Sequence, residues 1–161
     1  MGSGKTTLGR ALAERLELRF IDLDAWLEEA HGRSVRDMLT RDGEAAFRRR
    51  ELDALRQWAA GAESCVVATG GGIVETPEAR LLLRGIGRVV WLSAAPEVCV
   101  ARLGAARADR PLLDDEAEWR RRWSRRAPLY AALADHVVHT HPAGVEESLQ
   151  QLLGLLAADG G

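Results

Sequence analysis

The sequence predicts an α/β fold in which a parallel sheet is covered by helices on both faces. Two observations carry that prediction. Short apolar runs alternate with longer segments of helical periodicity, the pattern of successive βαβ units. A glycine-rich turn, Gly2-Ser3-Gly4-Lys5-Thr6, leads directly into one of the helical segments, as anion-binding loops at a strand end do. With 161 residues, 47% of them hydrophobic, the chain suits one domain with a substantial core. We expect a single domain over 1–161, without linker, repeat or low-complexity segment.

The elements follow in order. Leu8, Leu12, Ala13 and Leu16 recur at helical spacing, so a helix is expected over about 5–17. Arg19 to Asp22 reads as a short strand. Ala25 to His31 is helical, with Gly32 in the stop position. Ser34 can cap a short helix ending near Arg41, and Gly43 to Ala60 forms a longer amphipathic helix through Phe47, Leu52, Leu55 and Trp58. Cys65 to Thr69 is a buried strand running into Gly70-Gly71-Gly72. Thr76 and Pro77 suit the N-cap and first turn of a helix to about Arg84. Arg88 to Ser93 is a strand, and Pro96 opens the next helix. Residues 104–115 are small, charged and aperiodic, the expected lid. A helix over 115–133, a strand over 136–140 and a helix over 145–157 close the chain.

Composition excludes several function classes. No apolar run reaches the roughly 18 residues of a membrane span, and the first residues lack the apolar region of a signal peptide. A net charge of −2 gives no general attraction to nucleic acid or anionic lipid. The tryptophan–arginine run from Trp119 to Arg126 is basic, but Trp119 and Trp123 are four apart and face the core together. Cys65 and Cys99 lie inside apolar runs and are expected as buried free thiols in a reducing cytoplasm.

Lys5 is the only lysine in the chain. Everywhere else the sequence uses arginine, so this position asks for a compact charge on a flexible stem. It lies in Gly4-Lys5-Thr6, the back half of the phosphate-loop pattern G-x-x-x-x-G-K-[ST]. Backbone N–H groups of Gly2, Ser3, Gly4, Lys5, Thr6 and Thr7 would cradle phosphates at the helix N-terminus. Lys5 would reach the β- and γ-phosphates, and the Thr6 hydroxyl would meet Mg²⁺. The pattern also asks for a glycine two positions before Met1 and for an apolar strand ahead of it. We therefore expect strand 1 of the sheet to lie outside this chain, an internal methionine having been taken as the start. A large loss of stability is expected from a sheet without its central strand.

Further candidates lie downstream. Asp22 and Asp24 flank Leu23 at a strand end, where alternation would put both carboxylates on one face. One could serve Mg²⁺ and the other an acceptor hydroxyl. Arg48 and Glu51 are three apart on one helix, so Glu51 can hold the guanidinium and leave its other edge for a carboxylate. Gly70, Gly71 and Gly72 suit close approach of a ligand to bare N–H groups. Arg110, in the expected lid, could meet charge on a transferring phosphoryl group. Arg126 precedes Ala127-Pro128-Leu129-Tyr130 on a helix that brings it toward the acid-binding side.

In this order, G-S-G-K-T, D-x-D, F-R-x-x-E, G-G-G, R-P-L-L and R-x-P-L-Y, the chain resembles shikimate kinases from Met1 to about His141. The resemblance implies a three-layer P-loop kinase fold with a parallel sheet of order 2-3-1-4-5, an acceptor-binding region at about 24–52 and a lid at about 104–115. It implies Mg-ATP as donor, the 3-hydroxyl of shikimate as acceptor, and a cytoplasmic monomer. Lys5, Asp24 and Arg110 would be catalytic. Asp24, Arg48, Glu51, Gly70, Gly71, Gly72 and Arg126 would bind shikimate, with Arg48 and Arg126 on its carboxylate. Thr6 and Asp22 would hold Mg²⁺, and Arg102 and Pro142 would flank adenine. The other readings are a P-loop kinase of a different hydroxy-acid or of a nucleotide, and a non-catalytic nucleotide-binding homologue. An incomplete chain that folds poorly and binds nothing is a further one.

Overall fold

A computed structural model of the chain describes residues 2–61, 63–103 and 116–159. The element order is α1 (Lys5–Arg15), β1 (Arg19–Asp22), α2 (Leu23–His31), α3 (Val35–Asp42), α4 (Glu44–Ala59) and β2 (Cys65–Ala68). A 3-10 turn (Ile73–Glu75) follows, then α5 (Pro77–Ile86), β3 (Val90–Ser93), α6 (Pro96–Leu103), α7 (Glu116–Leu133), β4 (His136–His139) and α8 (Val145–Asp159). Every expected helix and strand is present, with ends displaced by a few residues. The 3-10 turn after the triple glycine has no apolar period and was not expected.

Local chemistry fixes the boundaries. The Asp22 carboxylate accepts from the Ala25 N–H at 3.4 Å and so caps α2. Gly32 ends that helix at φ 61°, a left-handed conformation that glycine adopts without penalty. The Ser34 hydroxyl accepts from the Asp37 N–H at 3.1 Å, as its position predicts. Thr76 stands at the N-cap of α5, but its side chain makes no cap hydrogen bond there, and Pro77 sets the first turn.

The strands form two parallel pairs. Ile21 of β1 lies opposite Val67 of β2, and Leu92 of β3 lies opposite Val138 of β4. These pairs match positions 2-3 and 4-5 of the expected order. Among the described residues no strand joins β2 to β3. Instead a cavity of about 740 Å³ separates them, lined by Val66 and Ala68 on one side and by Val90 and Leu92 on the other. The cavity reaches Ser3, Lys5 and Gly70.

One core cluster packs Leu27, Met38, Phe47 and Leu55 of α2–α4 against Ile73 and Val74 of the 3-10 turn. It fixes the helical region that carries Arg48. A second joins Leu8 and Leu12 of α1 to Val138 and to Leu149 and Leu152 of α8. It anchors the helix behind the phosphate loop. Trp119 is buried beside Cys99, with Trp123 packed against them, as their spacing predicts. Both cysteines are free, Cys99 buried as expected; Cys65 is only half-buried, like most of β2, because one edge of that strand faces the cavity rather than a neighbouring strand. No described helix is long and apolar enough to cross a membrane.

Candidate active site

The phosphate loop enters α1 through two left-handed glycines, Gly2 at φ 74° and Gly4 at φ 92°. A side chain at Gly2 would also place its Cβ 2.4 Å from the Cys99 carbonyl oxygen, so α6 packs directly on the loop. Behind the loop the Thr140 hydroxyl donates to the Ser3 carbonyl at 3.1 Å. Arg102 donates from Nη1 to the Thr140 hydroxyl at 3.1 Å and from Nη2 to the Thr140 carbonyl at 2.5 Å. It also reaches the Gly2 carbonyl at 3.4 Å. Arg102 thus comes beside the segment that continues into Pro142. Its guanidinium is engaged in bracing the loop, a role its sequence position did not disclose.

At the other side of the loop the Thr6 hydroxyl donates to Asp22 Oδ2 at 2.9 Å. The two candidate metal ligands therefore meet. Asp24 departs from the strand reading. The strand ends at Asp22, and Leu23 already begins α2. The direction of Asp24 is therefore set by the first helical turn rather than by strand alternation, and the capping role falls to Asp22. Among the described residues no cluster of three His, Cys, Asp or Glu side chains forms a complete metal cage. Mg²⁺ commonly takes only one or two protein oxygens, completing its shell with phosphate and water. The hard-oxygen pair Thr6 and Asp22 fits that habit.

Arg48 and Glu51 face each other on α4 and hydrogen-bond through Nη1 and Oε2. Glu51 is only 1% exposed. Burial pushes its carboxyl up to about 7; the charge and hydrogen bond of Arg48 pull against the rise, and Asp24 adds to it. The second edge of Arg48 is not open as expected. Its Nη2 donates to Glu44 Oε1 at 2.8 Å, and Glu44 lies out in solvent. Arg48 Nε and Glu51 Oε1 are buried and hydrogen-bond to no described residue.

The triple glycine wraps this pair. A Cβ on Gly70 would lie 2.5 Å from Glu51 Oε1 and 3.0 Å from Asp24 Oδ1. One on Gly71 would lie 3.0 Å from the Tyr130 hydroxyl, and one on Gly72 would lie 2.0 Å from Arg48 Nη2. None of the three has positive φ. Glycine is required here because functional side chains press against the backbone.

Arg126 reaches the same turn from α7. Its Nε donates to Glu75 Oε2 at 2.8 Å, and its Nη2 is ion-paired with the same oxygen at 2.6 Å. Arg125 takes the other oxygen, Glu75 Oε1, at 2.6 Å. Burial raises the Glu75 carboxyl, but the two arginine hydrogen bonds outweigh it and hold the group below its ordinary value. The Tyr130 hydroxyl donates to the Gly71 carbonyl at 2.5 Å. Burial pushes that phenol up.

Lys5, Asp24, Arg48, Glu51, Gly70–Gly72 and Arg126 thus stand on the elements around one turn and the adjoining loop. Arg110 and the lid at 104–115 lie outside the described residues. Four participants were not singled out from sequence: Glu44, Glu75, Tyr130 and Thr140. Glu44 is four residues before Arg48 on α4, a spacing that could have found it. Tyr130 stands inside R-x-P-L-Y without an assigned role. Glu75 and Thr140 carry no local signal, because their partners are distant in sequence.

A family model described as shikimate kinase matches residues 1–157. A shikimate kinase of Synechococcus sp. (strain CC9605) is 43% identical, over 99% of this chain and 81% of the relative. Another, from Symbiobacterium thermophilum, is 40% identical over 99% and 94%. In fold, the chain superposes on the shikimate kinase of Acinetobacter baumannii solved in complex with shikimate, with a TM-score of 0.92, 33% identity, and coverage of 99% of this chain and 89% of the other. The structure of the Bacteroides thetaiotaomicron enzyme gives 0.87 at 34% identity, over 98% and 94%. Matched in sequence and in fold over nearly its whole length, this chain belongs to the shikimate kinase family.

Proposed function

We propose that this chain transfers the γ-phosphoryl group of ATP to the 3-hydroxyl of shikimate, giving shikimate 3-phosphate and ADP. One observation supports this reading most: Arg48, Glu51, Asp24 and Tyr130 all press on a single triple-glycine turn beside a phosphate loop. A small acid with several hydroxyls asks for such a set: guanidinium forks for its carboxylate, a carboxylate for its hydroxyls, and donors close to bare backbone. Phosphoryl transfer needs little covalent chemistry from the protein, only positioning and charge.

In this reading Arg48 and Arg126 bind the acceptor's carboxylate. The carboxylate would replace the exposed Glu44 on Arg48, exchanging one ion pair for another. Asp24 accepts from the acceptor hydroxyl, orienting its oxygen and taking its proton as the bond to phosphorus forms. Lys5 lies on the charge that develops across the β- and γ-phosphates, and Arg110 does the same from the lid. Thr6 and Asp22 would hold Mg²⁺, which supplies charge neutralisation between the phosphates. Arg102 and Pro142 border the adenine end. The domain is taken as a single unit over 1–161, acting as a cytoplasmic monomer.

The test is ADP release from Mg-ATP by this chain with and without shikimate. Shikimate-dependent turnover is expected, and Lys5→Met should lower kcat by about 100-fold or more with a smaller change in the KM for shikimate. A folded chain that hydrolyses or binds ATP without any response to shikimate would overturn the reading.

A further inference from the structure

Arg126 is the second of the two arginines assigned to the acceptor's acid, and something must fix where its fork stands. It comes from α7, whereas Arg48 comes from α4. The charges of both fall on Glu51 and on the Tyr130 hydroxyl, so the two side chains converge. The element between them is the 3-10 turn. At one end, Gly72 abuts the Arg48 guanidinium. At the other, Glu75 accepts from Arg126 Nε and is ion-paired to its Nη2. The Glu75 N–H donates back to the Gly72 carbonyl at 3.0 Å, so one turn of backbone sets the spacing. Arg125 on the other Glu75 oxygen stops the carboxylate from rotating away.

We propose that Glu75 is a positioning residue: the hydrogen bond it accepts from Arg126 Nε, together with its ion pair to Nη2, presents the outer edge of that fork, in register with Arg48, to the carboxylate of the acceptor. The inference rests on the function proposed above. It has a distinctive sign. Removing a negative charge beside an anion site would, by charge alone, strengthen anion binding. Loss of orientation weakens it, because a bidentate pair depends on geometry.

The experiment measures shikimate binding calorimetrically on the full chain, so that turnover is not needed. Glu75→Gln is expected to raise the Kd for shikimate about tenfold and to leave the Kd for Mg-ATP within twofold. In an Arg126→Gln background the same substitution should add less than twofold, since Glu75 acts through Arg126. If Glu75→Gln does not fold, Glu75→Asp, which keeps the charge but withdraws it by one methylene, should weaken shikimate binding in the same selective way. Unchanged or tighter shikimate binding in the folded variant overturns the inference, as does an equal factor in both backgrounds. If the wild-type chain binds Mg-ATP but not shikimate, the functional reading itself fails and the inference with it.

Discussion

Arg48 and Glu51 are a residue-scale device whose two halves depend on each other. Glu51 is buried, and its guanidinium partner is the nearest compensation for its charge. A buried carboxylate stripped of its partner costs about 3–5 kcal/mol, so truncating Arg48 would confuse binding with folding. Glu51→Gln avoids that problem and tests the raised carboxyl. The folded chain keeps the Glu51 proton up to pH about 7, whereas an unfolded carboxyl releases it near its ordinary value of about 4.3. Between these values the folded state binds more protons, so stability falls as pH rises. Relative to Glu51→Gln, the wild-type unfolding free energy should fall by at most about 1.4 kcal/mol per pH unit across this window and level off above it. Urea unfolding at pH 5, 6, 7 and 8 measures the difference; parallel curves would show that Glu51 does not titrate there. This pair was legible in the sequence because three residues of helix bring its members together. Arg126 and Glu75 were not, because only the tertiary fold joins α7 to the turn.

At the scale of elements, glycine separates helix chemistry from site chemistry. Gly154 lies within α8, is exposed, and has nothing within 4 Å of where a Cβ would stand. It contributes only backbone entropy to the unfolded state, so Gly154→Ala should stabilise by about 0.5–1 kcal/mol in urea unfolding. Gly72 is the opposite case. A Cβ there would force the Arg48 guanidinium aside and away from Glu51. Gly72→Ala should therefore lower stability by about 1–3 kcal/mol, the cost of leaving a buried polar group unsatisfied, and raise the KM for shikimate together with it. Equal effects of the two substitutions would refute the close-approach account. The sequence marked the triple glycine as functional, since a plain turn needs fewer. It did not reveal that the space is taken by Glu51, Asp24, Tyr130 and Arg48. The helices were legible for a simpler reason. Caps such as Ser34 and stops such as Gly32 are local, and so survive tertiary context.

At the scale of the whole molecule, periodicity identified the strands, but their pairing depends on what lies between them. β2 is bonded to β1, and β3 to β4, each in parallel register. The facing edges of β2 and β3 have no strand partner among the described residues. Apolar side chains line the intervening cavity, which ends at the phosphate loop. Two unpaired parallel edges above an apolar slot are the conditions under which an added strand gains hydrogen bonds on both sides and buries both faces. About five extended residues rise about 17 Å, enough to run alongside strands of this length. Each buried Val or Ile contributes about 1.5–3 kcal/mol, offset by ordering costs of about 1–2 kcal/mol per residue for the backbone and a further 0.5–1 for the side chain. The margin is small for each residue, and ladder hydrogen bonds add to it. An apolar segment of Val and Ile appended ahead of Gly2 is therefore expected to raise Tm by about 5–10 °C, corresponding to a net gain of a few kcal/mol. A Ser/Asn segment of equal length should leave Tm unchanged, because it can supply ladder bonds but not apolar burial. If the polar segment stabilised equally, the slot would not select for an apolar strand; if neither did, the two sheets would be stable as separate pairs.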